Sequence, residues 1–370
     1  MRLHIIAGAR PNFMKIAPII HAIHSAQKNG ADICFRLVHT GQHYDEKMSN
    51  SFFKELNIPA PDVNLGCGGG TQAEQTAAIM VAYEKDLVLN PADLIIVVGD
   101  VTSTMACAIV AKKLNTKVAH VEAGIRSFDH TMPEEINRMV TDSITDYFFT
   151  TSESANFNLR KTGIPEKSIL FVGNVMIDTL LSNLPYFRKP DIWNKACLDN
   201  EKYLLMTLHR PNNVDEEKKL KSLMEAILNN SHNIPIIFPV HPRTAKILKR
   251  IKLNFDSLLS NSENLHLIEP LGYLEFNYLV QHSKAVITDS GGITEETTVM
   301  GIPCITLRDN TERPETVTLG TNELIGTNPE GIAPALKKLF EGNWKKGEIP
   351  PLWDGNAAKR IINTLCNIVL

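Results

Sequence analysis

The feature that most constrains this chain is a recurring short, unbroken apolar run that ends in glycine or polar residues and is followed by a stretch of helical period. Leu94 to Val98 (LIIVV) is the clearest case. It shows no alternation, so both of its faces must be buried, as in the middle of a parallel sheet covered by helices. Leu3 to Ala7, Ile33 to Val38, Val118 to Val121, Phe148 to Thr150 and Ile169 to Val172 repeat the pattern in the first half. Tyr203 to Leu208, IPIIFPV, Leu265 to Ile268 and Ala285 to Thr288 repeat it in the second. Such alternation predicts doubly wound α/β sheets. At 370 residues the chain is too long for one ordinary core and suits two domains facing each other across a cleft. The pattern fails over LPYFRKPDIWNKACLDN, which has two prolines and mixed charge. The expected division is a first domain over 1–183, a linker over 184–202, a second domain over 203–352 and a closing helical segment over 353–370.

Open parallel sheets bind ligands at the C-terminal ends of their strands, so the polar residues there carry the functional reading. Val286 to Pro303 (VITDSGGITEETTVMGIP) reads as a buried strand, a tight turn through Asp289, Ser290, Gly291 and Gly292, and a helix from near Ile293. Adjacent glycines let a ligand approach the backbone, and the free amides and positive end of the helix favour a phosphate or diphosphate. Ser290 adds a hydroxyl donor. Glu295 and Glu296 follow, either as partners of the helix dipole or with one of them accepting two hydroxyls of a ribose. With no GxGxxG and no Walker loop in the chain, the pattern points to a nucleotide-sugar rather than a dinucleotide or triphosphate.

In the first half, Arg10 lies in the loop after the first strand and Lys15 follows it. Cations before or within the first turn of a helix oppose its dipole and seek an anion. Asp100 ends the run at Leu94 to Val98. Glu122 and Arg126 follow Val121, and Glu134 opens a helix with Arg138 four residues on, sharing its face. Carboxylates beside arginines at successive strand ends can be given the separate pKa values that proton removal and return require, although each could equally be half of an ion pair. His209 and His241 each sit just past an apolar strand and near an arginine, Arg210 and Arg243, which adds them to the expected ligand site. No histidine or carboxylate cluster has metal-ligand spacing, so no metal is expected.

Basic and acidic residues nearly balance, 38 against 41, without a block of like charge, which argues against nucleic acid or an anionic membrane as partner. No apolar run approaches the ~18 residues of a spanning helix. A strand already opens at residue 3, leaving no room for a signal peptide, so a soluble cytoplasmic protein is expected. Cys34, Cys67, Cys107, Cys197, Cys304 and Cys366 lie far apart with no CxxC and read as reduced core thiols.

Taken in order, GARPNFMK, VVGDVTSTM, HVEAGIRS, MPEEINR, GNVMID, TLHRPNN, VHPR, TDSGGITEE and RDNTERPET resemble the UDP-N-acetylglucosamine 2-epimerase family, from Gly8 to about Gly326. The resemblance implies two Rossmann-like domains in the GT-B arrangement, a last helix packing back on the first domain, a homodimer, and neither metal nor nicotinamide cofactor. It implies a UDP-sugar substrate: a base removes the proton at carbon 2, UDP leaves to give a 2-acetamidoglucal, and UDP adds back as a proton arrives on the opposite face. By matching motifs, Asp100, Glu122 and Glu134 would be the acid/base candidates, with Arg138 orienting the last and His209 joining the catalytic set. Arg10, Lys15, His209, Arg210, His241, Ser290, Gly291, Gly292, Glu296 and Arg313 would hold the UDP-sugar. The non-hydrolysing branch is favoured. The hydrolysing branch, a glycosyltransferase on the same fold and a nucleotide-sugar-binding protein without catalysis are the alternatives. The chain departs from the family where GARPNFMK replaces the usual GTRPEAIK and HRPNN the usual HRREN. A second, activating UDP-sugar site in bacterial members uses two glutamines and an arginine; here Gln42 is present, Asp45 stands where the second glutamine would be, and GCGGGTQ offers no arginine.

Overall fold

A computed structural model describes residues 1–42, 53, 55–241, 244–248 and 264–368. Within them every apolar run named above is a parallel strand. β1 (Arg2–Ala7), β2 (Cys34–His39), β3 (Val63–Asn64), β4 (Leu94–Val98), β5 (Lys117–Val121), β6 (Tyr147–Thr150) and β7 (Ile169–Phe171) form one sheet in the order β3-β2-β1-β4-β5-β6-β7. β8 (Leu204–Thr207), β9 (Ile236–Pro239), β10 (Leu265–Ile268), β11 (Ala285–Thr288), β12 (Cys304–Thr306) and β13 (Asn322–Leu324) form a second, in the order β10-β9-β8-β11-β12-β13. The chain divides into two compact units, Met1–Ser182 with Pro351–Leu370, and Asn183–Pro350.

All five residues of β4 are buried, as an unbroken apolar run in mid-sheet requires. The helix Arg10–Lys28 turns Phe13, Ile16, Ile19, Ile20 and Ile23 into the core of its unit, the helical spacing its sequence shows. In the other unit, Leu220, Leu223, Met224 and Ile227 of the helix Glu217–Asn229 meet Leu336 and Leu339 of the helix Ile332–Phe340 in one cluster with β8 and β9. Residues 184–202 include the helix Asp191–Lys195, whose Trp193 packs edge-on against Tyr203 and Tyr278 at 5.9 and 5.3 Å between ring centres.

Several local expectations are corrected. The glycine-rich segment after residue 62 opens with β3, an edge strand too short to show a period. Arg10 is the first residue of its helix rather than part of a loop, and the helix after β11 begins at Gly291 rather than near Ile293. Cys67, Cys107 and Cys304 are buried, but Cys34, Cys197 and Cys366 are exposed, so the core-thiol reading covers only half of them. Among the described residues no helix is long and apolar enough to cross a membrane.

Several contacts fasten the C-terminal segment to the rest of the first unit, among them the Arg360 guanidinium on the Val172 carbonyl at 3.0 Å. Asp178 of the helix Val175–Asn183 accepts from the amides of Ala357 and Ala358 at 3.1 and 2.7 Å, filling the role of an N-cap for the helix Ala357–Asn367. Trp353 is 1% exposed and donates its indole N–H to the Thr151 carbonyl at 2.9 Å. Replacing Trp353 by Ala empties that site and orphans the carbonyl, so Trp353→Ala is expected to cost about 3–5 kcal/mol in urea unfolding; a loss under about 1 kcal/mol would show that the tail is not held there.

Candidate active site

Each sheet has one place where strand order reverses, between β1 and β4 in the first unit and between β8 and β11 in the second. At such a switch point the chain leaves neighbouring strands toward opposite faces, opening a crevice at their carboxyl ends. Arg10, Asp100, His209, Arg210, Ser290, Gly291 and Gly292 follow the strands that flank these two points.

In the first unit, Asn12 joins the two strand ends: its carbonyl accepts from Gly8 N and Ala9 N at 2.9 Å and its amide donates to Val98 O at 3.1 Å. Lys15, one turn on, places its ammonium 2.7 Å from Glu122 Oε2, and both are buried. Gly99 lies under this pair with φ +65°; a Cβ there would come within 2.8 Å of Lys15 Nζ. Glu122 itself has φ +72°, a left-handed conformation rare for a residue with a side chain and concentrated at functional sites. Asp100 takes the Arg138 guanidinium at 2.5 Å, and its carbonyl accepts from Asn137 at 2.9 Å.

The helix Pro133–Ile144 supplies these partners by a reversed pattern: Glu135, Asn137, Arg138, Thr141 and Asp142 are buried while Ile136 and Met139 are exposed. Glu134 is exposed in its first turn. The carboxylate that takes a second Arg138 nitrogen is Glu135, at 2.8 Å, where Glu134 was expected. Glu135 also accepts from Ser127 N, Ser127 Oγ and Phe128 N, fixing the loop after Glu122. Burial works against ionisation of Glu135, but the loop amides and Arg138 outweigh it and hold its carboxyl below the usual range. Arg126 is turned inward to Asp142 at 2.7 Å rather than standing on a rim.

In the second unit the organising group is Asp289, buried at the end of β11. It accepts from the backbone N–H of His209 and of Arg210, from the Asn213 amide and from His209 Nδ1, the last at 2.9 Å. Burial opposes its charge, and these donors, His209 first, still hold its pKa below the ordinary value. His209 is thereby oriented by a carboxylate while its side chain remains 42% exposed, leaving Nε2 available. His241 is exposed, with its ring centre 6.0 Å from that of His209. Arg243 and Asp45 lie outside the described residues, as does the side chain of Arg10. Gln42 is described, and its carbonyl accepts from Ser103 N and Oγ.

Ser290 is the N-cap of the helix Gly291–Met300, so Gly291 and Gly292 are its first two residues and their amides have no intrahelical acceptor. A Cβ on Gly291 would sit 3.7 Å from Arg308 Nη1, and one on Gly292 would meet no described atom within 4 Å. Arg308 was not anticipated. It is buried against Glu312 at 2.7 Å, with Arg210 3.6 Å from the same carboxylate, while Arg313 pairs with Glu295 at 2.5 Å. Arg308 and Arg210 thus share Glu312, and Arg313 holds Glu295, a set of cations that with the helix-start amides suits a diphosphate. Glu295 is accounted for by Arg313. Glu296 is buried at 5% exposure, and burial pushes its pKa up to about 7 despite the Tyr273 hydroxyl and Asn277 amide beside it.

Comparison with known proteins bears on what this arrangement serves. The family model described as UDP-N-acetylglucosamine 2-epimerase matches residues 25–366. The chain is 44% identical to UDP-N-acetylglucosamine 2-epimerase of Methanocaldococcus jannaschii over 99% of both sequences. It is 39% identical to UDP-2,3-diacetamido-2,3-dideoxy-D-glucuronate 2-epimerase of Pseudomonas aeruginosa, covering all of both. Its structure is similar to the crystal structure of the M. jannaschii epimerase in complex with UDP-GlcNAc and UDP, with a TM-score of 0.86 over 99% of each chain and 43% identity.

Glu312 offers a test of the arginine cluster. Burial disfavours its charge, but Arg308, then Arg313 and Arg210, lower its pKa from 4.5 to about 2. A depressed carboxyl contributes stability that is complete above its unfolded pKa and is lost as pH falls through the folded one, here on the order of 3 kcal/mol between about pH 4.5 and 2. Urea midpoints of Glu312→Gln should therefore lie below those of the unaltered protein at pH 7, with the gap narrowing over that window. A gap independent of pH would mean that Glu312 does not carry the linkage.

Proposed function

The chain belongs to the UDP-N-acetylglucosamine 2-epimerase family, and on that premise we propose that it interconverts UDP-N-acetylglucosamine and UDP-N-acetylmannosamine without net hydrolysis. The observation that carries the proposal is the Lys15–Glu122 pair near Asp100 and Arg138, since a site that only held a diphosphate would have no use for a buried carboxylate such as Glu122.

In this reading Asp100, Glu122 and Glu134 supply the acid and base that move the proton at carbon 2. The carbon 1 to oxygen bond breaks as that proton leaves, giving UDP and a 2-acetamidoglucal, and UDP re-adds as a proton is returned to the other face. Lys15 and Arg138 keep Glu122 and Asp100 in place. The charge that develops on the departing diphosphate falls to the amides of Gly291 and Gly292, the Ser290 hydroxyl, and the cations Arg10, Arg210 and Arg313, all set before the bond breaks. His209, oriented by Asp289, and His241 complete the phosphate side, and Glu296 takes the ribose hydroxyls. The similarity to the P. aeruginosa enzyme favours a second reading, the same chemistry on a diacetamido or oxidised UDP-sugar.

Proton NMR in deuterated water separates these readings. Deuterium at carbon 2 together with a new UDP-sugar is the expected result with UDP-N-acetylglucosamine; free N-acetylmannosamine and UDP would instead assign the protein to the hydrolysing branch, and exchange only with the diacetamido sugar would select the second reading. Glu122→Gln should lower the exchange rate about 10²–10⁴-fold while UDP affinity stays within a few-fold, and near-normal exchange would remove Glu122 from the proton path. The reading also carries a cytoplasmic homodimer. Light scattering should give twice the chain mass, and a monomer at micromolar concentration would contradict it.

A further inference from the structure

His120 lies on β5 between Val97 of β4 and Phe148 of β6 and is fully buried. Its two ring nitrogens meet different partners: Nδ1 is 2.7 Å from Asp142 Oδ1, and Nε2 is 2.9 Å from the carbonyl oxygen of Gly99. A carbonyl oxygen only accepts. Asp142 is an acceptor as well, because it also takes the Gly124 amide at 3.0 Å and faces Arg126 at 2.7 Å. Burial disfavours its charge, but His120 and then Arg126 hold its carboxyl below the ordinary range. A neutral imidazole has one N–H, so one of the two contacts would set lone pair against lone pair. Two acceptors require two donors.

The neighbouring carboxylates are ion-paired: Glu122 with Lys15, Asp100 and Glu135 with Arg138, and Asp142 with Arg126.

The second contact gives His120 a role. Gly99, which holds a left-handed φ of +65°, directly precedes Asp100. The helix Pro133–Ile144 therefore grips this dipeptide at three points: Arg138 on the Asp100 carboxylate, Asn137 on the Asp100 carbonyl, and Asp142, through His120, on the Gly99 carbonyl. We infer that His120 is a positioning residue that donates from both ring nitrogens, fixing Gly99–Asp100 through its Nε2–H while Asp142 takes its Nδ1–H. This inference rests on the epimerase reading for its consequence, since the groups it positions are those assigned to proton transfer, while the protonation state follows from the contacts alone.

Two measurements test it. In protein labelled with ¹⁵N-histidine, long-range proton–nitrogen correlation at about pH 7.5 should show one ring with both nitrogens protonated, and that signal should vanish in His120→Gln. A protein in which every histidine is neutral at that pH would overturn the inference, whatever the activity. In turnover, His120→Gln should lower kcat about 10–100-fold with KM and calorimetric UDP affinity within about twofold, because displaced acid/base groups slow the chemical step without touching the phosphate seat. An unchanged kcat would refute the positioning role. If the variant fails to fold, the titration of the unaltered protein still decides the protonation, and Asn137→Ala, which releases the same dipeptide from its neighbouring grip, should slow kcat in the same selective way. A protein that turns over no UDP-sugar would overturn the epimerase reading itself and leave the titration result standing.

Discussion

The reversal of strand order in the middle of each sheet is the constraint on which the rest of the site depends. Parallel strands joined by right-handed crossovers send their connections to one face or the other, and where the direction of winding changes no connection covers the gap. At β1 and β4 the gap is bridged by Asn12 and floored by Gly99; at β8 and β11 it is closed by a hydrogen bond between Thr207 and Thr288 and by the carboxylate of Asp289. Backbone amides and carbonyls that end in such a gap need partners, and the chain supplies polar side chains where a core would otherwise continue.

Charge then sets what each gap can do. In the first unit Glu122, Asp100, Glu135 and Asp142 are held in place by ion pairs. In the second, Arg308 stands close to Gly291 at the start of a helix, where an anion is favoured. Desolvation opposes these buried pairs, and at Glu135, Asp142 and Glu312 the attraction outweighs it. Their effect is geometric: each guanidinium or ammonium admits few carboxylate orientations, and Arg138 orients Asp100 and Glu135 together.

The helix Pro133–Ile144 shows why part of this was hidden from a reading by pattern. Hydrophobic periodicity assumes that the apolar stripe faces inward, and here Ile136 and Met139 face outward while five polar residues face the sheet. Spacing alone pairs Glu134 with Arg138 at i, i+4, yet the buried neighbour is Glu135 at i, i+3, since the helix phase is set by contacts to Asp100 and Ser127. A polar stripe at the spacing of Glu135, Arg138 and Asp142 was the available sign. Arg308 and Glu312 were missed for a different reason: their motif is visible, but only the return of the chain after β12 brings Arg308 beside Gly291.

Local chemistry was enough to determine the longer apolar strands, the parallel α/β class, the glycine turn after β11 and the positions where charged residues end strands. Those features follow from burial on both faces of an apolar run and from what a tight turn permits, and neither depends on distant residues. Which carboxylate meets which cation was decided only by the tertiary structure. Lys15 and Glu122 are 107 positions apart, and His209 and Asp289 are 80 apart. Coulomb attraction and hydrogen bonding act over a few ångströms of space, and the sequence carries no record of that distance until crossovers of fixed handedness bring the strand ends together.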